Sequence, residues 1–247
     1  MLAGDLEDDW GNILLTGATG FLGAHVLREL LKTEPGTVYC FVRSKGSLSR
    51  MDRLKSLLFY YFEDDFDDTI FDEKLQVIEG DITDFKYFED IISLNIDTIV
   101  NCAANVKHFS FGSELEDINF GGVINGLKFA KMKNAKYVQV STYSVAGESI
   151  DNFPPLDVGY SENDLYIGQI MDNPYINSKF AAERAILEAA IEDELDVKIM
   201  RAGNLMARSS DSEFQINFES NAFINSLKSF VLLGKMPYEM LSEEVDD

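Results

Sequence analysis

The sequence predicts an α/β fold, a doubly wound parallel sheet with helices on both faces. Three observations predict it. First, apolar runs of strand length recur at 12–16, 37–42, 75–79, 97–102, 136–141 and 197–201. They are rich in β-branched and aliphatic residues with little alternation, as strands buried on both faces are. Second, helix-length segments separate these runs, and a strand–helix–strand order requires right-handed crossovers in a parallel sheet. Third, the first run leads directly into Thr16-Gly17-Ala18-Thr19-Gly20-Phe21-Leu22-Gly23, a glycine-rich turn that opens a helix. The 247 residues, 46% hydrophobic and 12% aromatic, suffice for one large globular domain and do not read as disordered.

Taken in chain order, Gly17, Gly20 and Gly23 sit three apart after the first strand. Such a turn lets backbone approach a pyrophosphate, and the helix start offers free N–H groups to the anion, which is the Rossmann fingerprint. The helix over 21–32 places Leu22, Val26 and Leu30 on one face. The second strand ends in Arg43-Ser44, where a dinucleotide fold meets the adenosine ribose. An acidic residue there would bond a 2′-hydroxyl, whereas the planar fork of an arginine suits a 2′-phosphate. NADPH is therefore the expected cofactor; the alternative is a solvated arginine after a strand. Arg53, in the helical stretch 48–61, would close on the same phosphate. Arg43, Lys45, Arg50 and Arg53 gather positive charge in a chain of formal net charge −22. After the third strand comes Gly80-Asp81-Ile82, where the aspartate either accepts from an adenine amino group or opens a turn. After the fourth, Cys102-Ala103-Ala104 supplies small residues beside which a cofactor can pass. A further helical stretch covers 113–132.

The fifth strand ends in Ser141-Thr142-Tyr143-Ser144-Val145-Ala146-Gly147. A hydroxyl at that position can donate to a developing oxyanion. The segment 148–172 is long and irregular, and a loop of that length in a compact domain is often functional. It leads to Asn173-Pro174-Tyr175, an N-cap followed by proline at the first helical position, opening a helix over 173–192. Tyr175 and Lys179, four apart, share one helix face. A protonated lysine nearby would lower the phenol from its usual value of about 10. The phenol could then donate a proton to a carbonyl oxygen as hydride arrives, while the lysine holds the ribose hydroxyls of the nicotinamide half. The glycine turn and Tyr175-x-x-x-Lys179 together indicate a nicotinamide-dependent oxidoreductase of the short-chain type.

Other classes find little support. A net charge of −22, from 43 acidic and 21 basic residues, disfavours nucleic acid and anionic membranes as partners. The acidic runs at 63–68 and 243–247 read as solvated surface. No apolar stretch approaches the roughly 20 residues of a membrane span. The acidic segment Met1 to Asp9 lacks the basic start of a signal peptide. Cys40 and Cys102 lie in apolar runs and read as reduced, buried thiols, so the cytoplasm is the expected compartment. His25 and His108 fit no metal-ligand spacing, and no metal site is expected. His25 reads as surface or packing. No G-x-S-x-G elbow supports a serine hydrolase.

From about Asn12 to Pro237 the chain resembles the extended short-chain dehydrogenase/reductase superfamily, and within it the terminal thioester reductase domain of nonribosomal peptide synthetases. The generic residues are the glycine turn, Val42-Arg43, Gly80-Asp81-Ile82 and Tyr175-Ile-Asn-Ser-Lys179. The narrowing ones are Asn101 to Val106, Arg201 to Leu205, Asp211 to Asn217, Asn221 to Phe223 and Leu233-Gly234. The resemblance implies that Gly17, Thr19, Gly20, Phe21 and Leu22 cradle the pyrophosphate. It implies that Arg43 and Arg53 bind the 2′-phosphate, that Asp81 and Ile82 meet the adenine, and that Ala103 and Ala104 line the cofactor. Asn204 and Leu205 would lie by the nicotinamide. Thr142, Tyr175 and Lys179 would form the catalytic set, with Thr142 preferred because it stands five residues before Gly147.

The implied reaction is NADPH-dependent reductive release of an acyl or peptidyl thioester from the phosphopantetheine arm of a carrier domain. The product would be an aldehyde, or an alcohol after a second reduction. The alternatives are a fatty acyl or carboxylic acid reductase, a nucleotide-sugar epimerase or dehydratase, and a non-enzymatic NADP sensor. Phe120-Gly121-Gly122-Val123 departs from the family pattern and bears on local packing. The resemblance also implies that residues 1–247 are a cofactor-binding core, with 206–247 starting the connection to a substrate domain. Alone, such a core is expected to bind cofactor but to reduce carrier-bound thioesters poorly.

Overall fold

The structure, a computed structural model, describes residues 10–44, 46–63, 68–106, 113–147 and 160–235. The chain divides into two units, Met1–Leu205 and Met206–Asp247. The first holds a sheet of strands β1 (Ile13–Thr16), β2 (Val38–Val42), β3 (Leu75–Glu79), β4 (Thr98–Asn101), β5 (Lys136–Thr142) and β6 (Val197–Ala202). Their order is β3-β2-β1-β4-β5-β6, and every neighbouring pair is parallel. The order reverses beside β1, so the turns after β1 and β4 meet at the carboxyl edge, where open α/β sheets bind ligands.

The helices of this unit are α1 (Phe21–Thr33), α2 (Arg50–Phe62), α3 (Asp68–Lys74), α4 (Lys86–Asp90), α5 (Glu114–Glu116), α6 (Gly122–Lys133) and α7 (Pro174–Glu192). Successive residues of β1 face opposite layers. Ile13 and Leu15 join Leu27, Leu31, Leu54, Leu58 and Phe71 in one core, while Leu14 joins Phe88, Ile99, Phe129, Tyr137 and Ile186 in the other. Both faces being covered, β1, β2 and β4 are buried throughout, and that explains their unalternated apolar runs; β3 and β6, at the two ends of the sheet, are partly exposed. His25 packs edge-on among Phe21, Tyr61 and Phe62 with its Nδ1 at 2.8 Å from the Phe21 carbonyl, a packing role. His108 lies outside the described residues.

The strands agree with the sequence reading to within a residue or two, as do the four long helical stretches. Between 113 and 132 the helix is not uniform. A π-helical turn, Asp117–Gly121, joins α5 to α6. A Cβ at Gly122 would stand 2.4 Å from Ile82 Cδ1, so the glycine accommodates that side chain, and the departure at 120–123 is matched by local packing. The second unit contains a short 3-10 turn, Phe218–Ser220, and α8 (Ala222–Leu233). Helix α8 is capped by Asn221 Oδ1, which accepts from Ile224 N at 3.1 Å, and ends on Gly234 in the left-handed conformation.

Candidate active site

The turn after β1 is shaped by close backbone approach. Gly17 has φ +76°, and a Cβ there would lie 2.5 Å from Ala103 N, in the turn after β4. A Cβ at Gly23 would lie 2.1 Å from the Gly17 carbonyl oxygen, which accepts from Gly20 N at 2.9 Å. Only glycines satisfy these contacts. Thr19 and Gly20 are exposed, Phe21 and Leu22 half-buried, and no acidic residue occupies the first turn of α1. This uncluttered helix N-terminus fits an anionic pyrophosphate. Beneath it, Thr16 Oγ1 donates to Asn101 Oδ1 at 2.5 Å, and the Ala103 amide donates to the same oxygen at 3.1 Å. Asn101 Nδ2 donates to Gln139 at 3.0 Å and to the Tyr137 hydroxyl at 3.1 Å. This buried network fixes the ends of β1 and β4, and with them the positions of Ala103 and Ala104.

An open cleft of about 620 Å³ lies beside β2 and β3, lined by Arg43, Asp81, Thr83, Asp117, Ile118 and Gly121 among others. Arg43 is 66% exposed, with one guanidinium nitrogen 3.9 Å from Asp81 Oδ2. Arg53 Nη1 donates to the Arg43 carbonyl at 2.8 Å, so both arginines stand at the end of β2. Arg50 is engaged elsewhere, 3.1 Å from Glu79 Oε2 and 2.8 Å from Ser44 Oγ. Lys45 lies outside the described residues. Asp81 Oδ1 accepts from Thr83 N at 3.0 Å and from its hydroxyl at 2.8 Å, so this aspartate does open a turn. Ile82 is buried, and its carbonyl accepts from Asn125 at 2.8 Å.

The fifth strand delivers three hydroxyls to different places. Ser141 Oγ turns inward and donates to Glu183 at 2.5 Å. Thr142 caps the following 3-10 turn, its Oγ1 accepting from Ser144 N at 3.2 Å, and its hydroxyl acts on the Tyr175 phenol in the lowering direction. Tyr175 sits in the first turn of α7, where Asn173 Oδ1 accepts its amide at 2.9 Å. One turn on, Lys179 is 2% exposed and donates to the Val140 carbonyl at 2.8 Å. Thr142, Tyr175 and Lys179 thus converge at the carboxyl edge of β5. Asn204 and Leu205 follow β6 at the same edge and are exposed.

Protonation behaviour departs from the expectation. Burial raises the Tyr175 phenol above its ordinary value, and the nearby Thr142 hydroxyl only partly opposes this. Burial lowers Lys179 to about 8, against the opposing pull of Glu183 and then Cys102. At this phenol burial therefore outweighs the effects that would acidify it. Cys102 is pushed up to about 12 by burial and Cys40 is raised still further, so both are thiols rather than thiolates.

Two groups that motif reading passed over complete the site. Asn119, in the π-helical turn, pairs with the backbone of Asn105 through 2.8 and 2.9 Å bonds. It also donates to Ser178 Oγ at 3.1 Å, and Ser178 donates to the Tyr175 carbonyl at 2.7 Å. Glu183 is fully buried and paired with Arg201 at 2.7 Å. The four-residue spacing of Tyr175, Lys179 and Glu183 on one helix face was a signal available for the second.

A sequence profile of the family described as Male sterility protein matches residues 15–246. Among solved structures, a thiolation-reductase di-domain from an archaeal non-ribosomal peptide synthetase superposes with a TM-score of 0.87 at 46% identity, covering 95% of this chain and 50% of that one. A linear gramicidin synthase of Brevibacillus parabrevis is 29% identical over 236 residues, 91% of this chain and 4% of its own length. The L-2-aminoadipate reductase large subunit of Penicillium chrysogenum is 30% identical over 241 residues, 91% of this chain and 17% of its own. The chain therefore spans half of the solved relative and less than a fifth of either curated one.

Proposed function

The chain belongs to the male sterility protein family, and on that premise we propose that it is the NADPH-binding, hydride-transferring core of a terminal thioester reductase. Its substrate is an acyl or peptidyl thioester carried on the phosphopantetheine arm of a carrier domain. Its product is the released aldehyde. The observation that carries this reading is the gathering of Thr142, Tyr175 and Lys179 at the end of β5, with Lys179 one helical turn beyond Tyr175 and bonded to β5 at Val140, on the same carboxyl edge as the glycine turn after β1.

Gly17, Thr19, Gly20, Phe21 and Leu22 would hold the pyrophosphate, and Arg43 with Arg53 the 2′-phosphate. Ile82 and Asp81 would border the adenine, with Ala103 and Ala104 lining the cofactor and Asn204 and Leu205 beside the nicotinamide. NADPH supplies the hydride. Thr142 Oγ1 and the Tyr175 hydroxyl donate hydrogen bonds to the thioester carbonyl oxygen, where negative charge develops. A charged Lys179, once ribose hydroxyls share its Nζ, favours proton release from Tyr175. Loss of the pantetheine thiol then leaves the aldehyde. Similarity to a thiolation-reductase di-domain supports a carrier partner for this chain. The test is calorimetric titration with NADPH and NADH: preferential binding of NADPH is expected, and equal affinities would reject the assignment of Arg43.

A further inference from the structure

The buried pair Glu183–Arg201 has no part in the chemistry above. Its carboxylate is 0% exposed and sits one turn beyond Lys179 on α7. It accepts from Ser141 Oγ at 2.5 Å, from Arg201 Nε at 3.1 and 3.3 Å, and from Arg201 Nη2 at 2.7 Å. Lys179 in turn bonds the carbonyl of Val140, the residue next to Ser141. Two adjacent residues of β5 are therefore gripped from α7, one by the lysine and one by the glutamate. Arg201 is itself anchored. Its Nη1 donates to the Ser161 carbonyl at 3.2 Å, its Nη2 to the Asp164 carbonyl at 2.8 Å, and its guanidinium lies 5.1 Å from the centre of the Tyr160 ring.

We propose that Glu183, locked in place by Arg201 and Ser141, is a positioning residue that keeps Lys179 charged and registered against β5. The inference rests on the reading of Lys179 as part of the reacting centre. A fully buried carboxylate is retained at a high desolvation cost unless its hydrogen bonds are filled, and here three side-chain donor groups fill them. A neutral residue in its place would leave Lys179 facing burial without an opposing charge on its own helix. The charged and titratable groups that bear on Lys179 are Glu183 and Tyr175 on α7 and Cys102 after β4, with Arg201 of β6 behind the glutamate. Burial holds the Cys102 thiol protonated, and Glu183 is the one carboxylate among these groups. Burial and Glu183 pull the lysine in opposite directions, and their balance leaves it near 8.

The test follows the Lys179 ammonium directly, by NMR titration of the labelled lysine side chain in the chain itself, assigned with Lys179→Met. Removing only one partner of a buried pair can destabilise the fold. Glu183→Gln is therefore accompanied by the double variant Glu183→Gln/Arg201→Met, which removes both charges at once. In each, the Lys179 midpoint is expected to fall by about one pH unit or more, as for loss of a close opposite charge. NADPH affinity at pH 8 should weaken by about fivefold, the loss of charged lysine that such a shift produces at that pH. Glu183→Asp should recover part of both. An unchanged midpoint in the folded double variant would overturn the proposal and reduce the pair to a structural tie. Failure of the underlying reading looks different: Lys179→Met would bind NADPH as tightly as the unaltered chain.

Discussion

Thr142, at the end of β5, stands close enough to Tyr175, in the first turn of α7, for its hydroxyl to act on the phenol and pull its pKa down. Two hydroxyls brought to one place from two elements can serve a single developing oxyanion. Tyr175→Phe should lower thioester reduction by about 10²–10⁴-fold, the range for loss of a general acid, with NADPH affinity nearly unchanged. Thr142→Val should cost on the order of 10²-fold in kcat. Single-turnover kinetics on a carrier-bound thioester measures both. A Tyr175→Phe enzyme that keeps most of its kcat would mean that another group supplies the proton.

The proton on Lys179 couples stability and binding in opposite directions. Its folded pKa, about 8, lies below its ordinary 10.5. Between these values the unfolded chain binds the proton and the folded chain does not, so stability rises with pH there. The full penalty is present below about 8. The slope is at most about 1.4 kcal/mol per pH unit. If the charged lysine holds NADPH as proposed, NADPH binding should weaken over the same window by up to about tenfold per unit. Urea denaturation and calorimetry across that range test this, and Lys179→Met should flatten both curves.

Arg43→Ala should weaken NADPH binding by about tenfold and leave NADH binding unchanged. The figure is taken from the low end for hydrogen bonds to charged groups, because Arg43 is 66% exposed and already shares its charge with Asp81 at 3.9 Å. Comparable losses for both cofactors would show that Arg43 acts on the general field and not on a 2′-phosphate.

Gly23→Ala places a methyl group 2.1 Å from the Gly17 carbonyl. The loop must shift, at a cost of about 1–3 kcal/mol for overpacking, and the pyrophosphate cradle goes with it. Chemical denaturation should report the lost stability and calorimetry the lost NADPH binding. An alanine variant that binds normally would show that the tight turn serves folding only.

The sheet was legible because β1, β2 and β4 are buried along their whole length and β5 along most of it, whereas β3 and β6, at the sheet's two ends, are partly exposed and were read from their length and place between helices. The glycine turn was legible because its spacing reflects backbone contact, and Tyr175 with Lys179 because one helix carries both. What escaped was carried by long-range pairs. Asn119 meets Ser178, and Glu183 meets Arg201, through contacts that only the packing of α7 on its neighbours creates. The short helices α3 and α4 span too few residues to show a period. The expectation that Lys179 acidifies Tyr175 considered charge but not burial, and burial dominates for both groups. The glycines at 121 and 122 fall inside the helical stretch read over 113–132; Gly122 clears Ile82, and the local change to a π-helical turn left no mark in the apolar pattern.

The central claim is that this fold, with NADPH, reduces a carrier-bound thioester. The most direct measurement follows reduced nicotinamide absorbance when an acylated carrier is added to the NADPH-loaded protein. It should be made on this chain and on a version extended to the full length of the archaeal relative, half of which this chain covers. Thioester-dependent oxidation of NADPH is expected from the extended version, with aldehyde and free thiol formed in equal amounts, and little turnover from this chain alone. Tyr175→Phe should abolish the signal. NADPH bound by the extended version but never consumed on addition of thioester would contradict the claim.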